Sequence, residues 1–179
     1  MTEHHNTVVI GGGGQGREGK GHDAFAEMSY DLLNGIRITD LRTSDKGVSL
    51  SAALAPAYDP SVGVSSFTRR FVFTSPGLFE VDDAIKLSRP QVVTSYLHAD
   101  ETIEKRGNGF MLTPGRPGLL VDVLQPRDHD SIIEPNFLTA PGPPGSVDKG
   151  KREQRGVRLA LKTRSAVSDA EFNVRLRIQ

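Results

Sequence analysis

The sequence predicts an all-β fold, an antiparallel β-sandwich of roughly ten strands in a single domain over residues 1–179. Three observations carry that prediction. The chain closes on two runs of strict period-two alternation: Val157, Leu159 and Leu161 share one face of the first, and Phe172, Val174, Leu176 and Ile178 share one face of the second. Short apolar, β-branched runs recur along the rest of the chain, separated by Gly, Pro and Asp turn chemistry. Helical periodicity is almost missing. Only residues 23–33 approach it, and Ser29, Tyr30 and the glycines around them weaken the pattern. Alternation of this kind means one buried and one wet face, and many such strands without helices argue for two packed sheets.

Taken in order, residues 7–10 (TVVI) form a short strand closed by glycine. Residues 35–42 alternate, with Ile36 and Ile38 on one side, and residues 48–54 form a looser strand after an Asp45-Lys46-Gly47 hairpin turn. Residues 69–75 and 78–85 flank Pro76-Gly77 and make the best hairpin in the chain. Residues 91–98 follow Pro90, and residues 118–124 stop at Pro126. Residues 139–154, rich in Pro, Gly and then charge, are expected to be a long mobile loop within the one domain, because strands continue on both sides.

Lys+Arg and Asp+Glu are both 22, so net charge gives no nucleic-acid or membrane signature. The charge is uneven. The last 31 residues hold nine basic and three acidic side chains, a surplus of six that the first 148 residues cancel. Arg158, Lys162, Arg175 and Arg177 are candidates to meet a sulfated or uronate polymer, although they alternate with core positions and so read first as an exposed sheet face. Cysteine is absent, which excludes disulfides and thiol chemistry. No apolar run approaches the roughly 20 residues that span a bilayer, and the first residues are no signal peptide.

The glycine tract at residues 11–14 invites a nucleotide-binding reading. Gly11, Gly13 and Gly16 match G-x-G-x-x-G, and Gly14, Gly19 and Lys20 match most of a phosphate loop. The reading fails on chemistry. Gly21 follows Lys20 where a magnesium-binding hydroxyl is needed, and the next segment is too glycine-rich for the helix that should face a pyrophosphate. The tract is expected to be the turn after the first strand.

The residues around it say more. His5-Asn-Thr-Val-Val-Ile-Gly11, with Gln15 a few residues on, resembles the His-Asn-Thr-Val-x-Val-x-Gly segment of the heparinase II/III-like polysaccharide lyases. Ala57-Tyr58, the hairpin from Arg69 through Pro76 to Val81-Asp82-Asp83, Tyr96-Leu97-His98 and the two closing strands resemble further landmarks of that family, in its order. The resemblance implies a C-terminal β-sandwich that packs on an N-terminal α-helical toroid, with an active site between them. It also implies β-elimination on acidic, uronate-containing polysaccharide, with a Tyr or His base at C5 and an Asn or His neutralising the carboxylate. The expected partners are the toroid and the polysaccharide, and the expected parent is periplasmic or secreted.

By the same resemblance His5 is the nearest catalytic candidate and one ligand of an incomplete zinc site in the full-length parent. Asn6 and Gln15 are the substrate-contacting candidates. The family's His-x-His … Asp segment, which supplies the other zinc ligands, is not found in this sequence, so no metal is expected for this chain alone. The chain is expected to be inactive by itself, since base and neutraliser lie in the toroid. A non-catalytic carbohydrate-binding module and a structural or oligomerisation module stay open as alternatives.

Other polar groups have plainer readings. His22-Asp23 and His129-Asp130 are expected in exposed loops, Asp82-Asp83 at a strand end or turn, and His98 at the edge of the core. Tyr30, Tyr58 and Tyr96 are bases by type only.

Overall fold

The structure, a computed structural model, describes residues 5–16, 28–112, 117–139 and 152–179. Two antiparallel sheets make the fold, as the alternation predicts. The smaller has the order β1 (Val8–Ile10), β6 (Val93–Ala99), β11 (Arg152–Thr163), β10 (His129–Thr139). The larger has the order β2 (Arg37–Ser44), β3 (Gly47–Ala53), β4 (Val64–Thr74), β5 (Leu78–Gln91), β12 (Val167–Ile178), β9 (Leu119–Gln125), β8 (Gly109–Leu112), β7 (Ile103–Arg106). The chain passes between sheets at Val92 and again at residues 164–166, which ties the layers together at one end.

The core lies between the sheets. Val8, Ile10, Val93, Leu159 and Leu161 from the small sheet meet Phe67, Ile85, Val121, Phe172 and Val174 from the large one. These are the alternate positions of each strand, so pleating alone places them on one face. The opposite face of the large sheet carries cross-strand ion pairs instead: Arg175 to Glu80 (2.6 Å), Arg177 to Asp122 (2.6 Å) and Arg70 to Asp82 (3.4 Å).

The structure has twelve strands among the described residues, and three had no clear signature. Strand β7 has one apolar residue, Ile103, and β8 opens on glycine. Strand β10 carries Pro135, which usually breaks a strand. It survives because β10 is an edge of its sheet and its register shifts between Pro135 and Phe137. His129 and Asp130, expected in a loop, therefore open a strand. They pair in register with Thr163 and Lys162, and Asp130 also accepts from Arg164 (3.0 Å).

The β10–β11 pairing runs out to Thr139 and Arg152, so the ends of the expected loop are strand, and residues 140–151 lie outside the described residues. Asp82 and Asp83 lie in the interior of the 14-residue β5, not at its end. Of the weak helical segment, only α1 (Tyr30–Leu33), N-capped by Ser29, is described as helix, and residues 23–27, with His22-Asp23, fall outside. The glycine tract forms a turn after β1, with Gly11 and Gly12 in the left-handed region (φ 57° and 86°) and Ile10 bridging Gly13.

Candidate functional site

The Arg69–Asp83 pair organises the site. Strands β4 and β5 pair across the Pro76-Gly77 turn, and that register sets Arg69 opposite Asp83 on the inward face. Both are almost fully buried, at 8% and 3% exposure. Arg69 Nε and Nη2 donate to the two carboxylate oxygens at 2.6 Å each, the bidentate geometry that guanidinium and carboxylate favour. Burial pushes the Asp83 carboxyl above its ordinary value, against the pull of Arg69. Burial also opposes the guanidinium charge, but the hydrogen bonds and charge of Asp83 outweigh it. The rings of Phe67 and Phe71 stand 5.7 and 6.0 Å from the guanidinium carbon.

The third guanidinium nitrogen of Arg69 fixes the start of the described chain. Nη1 donates to the Asn6 carbonyl at 2.8 Å. From there the Asn6 side chain reaches β6: its Oδ1 accepts from the His98 backbone N–H at 2.8 Å and lies 3.1 Å from His98 Nδ1. The Thr7 carbonyl accepts from the Tyr96 N–H at 2.9 Å. His98 in turn sits in a row across the outer face of the small sheet, in register with Arg158 and then Glu134. Arg158 Nε donates to Glu134 at 2.9 Å, and its guanidinium lies 5.0 Å from the Tyr96 ring centre. Asn6, Tyr96, His98 and Arg158 thus form one surface of aromatic, basic and amide groups. Just inside it, Asn6, Arg69, Asp83, Tyr96 and Phe172 contribute to a cavity of about 140 Å³ between the sheets.

The structure separates the expected site residues. His5 is exposed beside Asn6, and among the described residues no group of three or more His, Cys, Asp or Glu could hold a metal ion. Zinc needs three or four donors, so the described residues do not form a zinc site of their own. Gln15 is half-buried and bridges Tyr58 through the backbone, at the end of the turn after β1. Tyr30 is 79% exposed on α1, and Tyr58 is 2% exposed in the core. Arg158, Arg175 and Arg177 each hold a carboxylate of this chain.

Tyr58 explains the Ala57-Tyr58 landmark: both are buried, and the phenol donates to the Val8 carbonyl at 2.7 Å, fastening β1 to the core. Burial raises the Tyr58 pKa well above its ordinary value of about 10. Above that pH the unfolded chain gives up the phenolic proton while the native chain keeps it. Stability is then complete below about pH 10 and falls above it, by up to about 1.4 kcal/mol per pH unit. Denaturant melts of the wild type between pH 9 and 11 are expected to show that slope. Tyr58→Phe is expected to flatten it and to lower stability at neutral pH by about 1 kcal/mol.

The pair at the heart of the site was not read from the sequence. A signal for it existed: Arg69 and Asp83 each stand seven residues from Pro76, so a hairpin centred there sets them opposite each other. The meeting of Arg158 with Tyr96 had no local signal, because β6 and β11 pair across a long stretch of chain.

Comparison with known proteins agrees with this architecture. The chain matches the family described as Heparinase II/III-like, C-terminal, over residues 1–171. No curated protein matches it. Among solved structures, a heparan sulfate lyase, HepC, from Pedobacter heparinus superposes with a TM-score of 0.68 at 14% identity, over 99% of this chain and 24% of that one. A heparinase III, the BT4657 gene product, gives 0.67 at 13% identity, over 98% of this chain and 23% of that one. A further heparinase III gives 0.66 at 12% identity, over 97% and 23%. The chain spans about a quarter of the length of these structures. By the family match over nearly its whole length, the chain belongs to the heparinase II/III-like family and corresponds to its C-terminal domain.

Proposed function

We propose that this chain is the C-terminal module of a polysaccharide lyase that cleaves uronate-containing acidic polysaccharide, of the heparan sulfate or alginate kind, by β-elimination. The observation that carries the reading is the family match over residues 1–171 of a chain that spans only about a quarter of its structural neighbours. In this reading an N-terminal helical toroid supplies the base and the group that neutralises the uronate carboxylate. The module packs on the toroid, and its Asn6, Tyr96, His98 and Arg158 face walls one side of the cleft. An aromatic ring beside a guanidinium suits a sugar ring with polar substituents. His5, next to Asn6, is positioned to complete a zinc site whose other donors the rest of the parent provides.

The isolated chain is inactive in this account, because the base and the group that neutralises the carboxylate are assigned to the toroid. The test is an assay for UV-absorbing unsaturated product from heparin, heparan sulfate and alginate, on the isolated chain and on the longest reading frame that contains it. Product from the longer protein on at least one polymer, and none from the isolated chain, is expected. A longer protein that leaves all three polymers intact would overturn the lyase reading. Turnover by the isolated chain would overturn the assignment of the chemistry to the toroid.

A further inference from the structure

We propose that the outer face of β2, β3 and β4 is a second binding site of this module, a groove that takes the carboxylate or sulfate group of an acidic saccharide between Arg42, Lys46 and Arg70. Strand pairing builds it. On the outward face Arg42 of β2 stands opposite Ser49 of β3, and Ser49 stands opposite Val72 of β4. Arg70 is two residues from Val72 along β4 and so shares its face. Two long basic side chains therefore flank a floor of short ones, across two strand spacings of about 4.8 Å each. Lys46 lines the end at the β2–β3 turn, and that turn is pinned to β4. The Ser75 N–H donates to the Lys46 carbonyl at 3.0 Å, and a Cβ on Gly47 would collide with the Phe73 carbonyl oxygen. The groove measures about 200 Å³, and among the described residues no acid lines it.

The cations of this sheet face fall into two sets. Arg175 and Arg177 each hold a carboxylate at 2.6 Å. The groove cations are held loosely. Arg70 lies 3.4 Å from Asp82, longer than a strong charge-assisted bond, and Asp82 has the Asn173 amide as a second partner. Arg42 and Asp40 pair on the exposed edge strand β2, where water screens the attraction. Lys46 holds no carboxylate among the described residues, and Asp40, Asp45 and Asp82 all stand outside the lining. Guanidinium forks match the flat, paired oxygens of such anions, the Ser49 and Thr74 hydroxyls suit those of a sugar, and Val72 offers an apolar patch to a ring face. The saccharide as carrier of the anion rests on the function proposed above, whereas the anion chemistry of the groove does not.

Amide proton–nitrogen NMR spectra of the chain, titrated with a heparin-derived oligosaccharide and separately with an oligoalginate, locate the site. Saturable shifts at the Arg42, Lys46, Ser49, Arg70 and Val72 amides are expected with at least one of them, weakening as salt is raised. Arg42→Ala/Arg70→Ala is expected to weaken binding at these amides at least about tenfold, and Lys46→Glu to weaken it as well. Arg175→Ala/Arg177→Ala is expected to leave it in place. These side chains are on the outer face, and an unchanged spectrum elsewhere reports a retained fold. Inorganic sulfate is expected to reach the same amides more weakly than the saccharide. Silent groove amides with both oligosaccharides, unchanged affinity in the groove variants, equal weakening by the two arginine pairs, or inorganic sulfate binding as tightly as the saccharide would overturn the proposal while leaving the lyase reading untouched. Absence of lyase activity in the parent would do the reverse.

Discussion

Asp83→Ala is expected to destabilise the chain by about 3–5 kcal/mol. The residue left behind explains the size. Arg69 is 8% exposed, cannot shed its proton, and loses both of its 2.6 Å partners. For a domain of this length the loss corresponds to roughly 6–20 °C in melting temperature. The double variant Arg69→Met/Asp83→Leu removes both charges and is expected to recover most of the loss, since a buried pair is weak net support but a buried single charge is a heavy cost. The double variant also separates stability from positioning. Without the Arg69 bond, the Asn6 carbonyl loses its anchor. Hydrogen exchange at the Tyr96 and His98 amides, which bond to Thr7 and Asn6, is expected to quicken even where global stability is restored.

The second large effect is expected from Phe172→Ala, at about 3–5 kcal/mol. Phe172 is 2% exposed, stands in register with Asp83 on the neighbouring strand, and lines the cavity of about 140 Å³. Truncation joins the lost ring volume to a space that already exists. The walls are pinned by strand pairing on both sides of the gap, Arg69, Phe71 and Phe79 in the large sheet and Ser95 and Leu97 in the small one, and collapse little. Urea unfolding is expected to show a lower midpoint with an unchanged m-value, because the fold and its buried area persist. Phe73→Ala provides the contrast. Its ring is 45% exposed, and less than about 1 kcal/mol is expected to be lost.

Legibility in the sequence followed the burial of each strand. Strands β11 and β12 alternate visibly because each has one face in the core and one in water, and the pattern alone picked out the inward Val157, Leu159, Leu161, Phe172, Val174 and Leu176, whereas Ile178, read as the fourth on its face, is 59% exposed at the end of β12. Edge strands carry weaker signals, since less of their surface must be apolar. Strand β7 has one inward apolar residue, and β10 tolerates Pro135 on an edge that no neighbour needs. Asp83 was misplaced for a related reason. Aspartate is depleted in strands, so two in succession read as a turn. Only the partner at Arg69 makes the position tenable, and that partner becomes visible once the hairpin register is counted out from Pro76.

The site was legible in part. The residues that resemble family landmarks do converge. Ala57-Tyr58 fastens β1, Arg69 and Asp83 anchor Asn6, and Asn6 caps the backbone of His98. Their order along the chain carried the resemblance, while their contacts, which depend on two sheets meeting, did not show. The four basic residues of the closing strands fell on two faces. Arg175 and Arg177 lie with acids on the large sheet, Arg158 lies with Tyr96 on the small one, and Lys162 lies on the same strand as Arg158, in register with Asp130.

That division separates the two sheets in a test of the proposal that the Asn6–His98 face of the small sheet lines a polysaccharide cleft. The measurement is kcat/KM of the full-length parent on its preferred polymer, for His98→Ala and Arg175→Ala side by side. A fall of at least about tenfold is expected for His98→Ala, about 1.4 kcal/mol of lost transition-state stabilisation, and an unchanged value for Arg175→Ala on the opposite layer. Equal effects, or a fall confined to Arg175→Ala, would contradict the proposal.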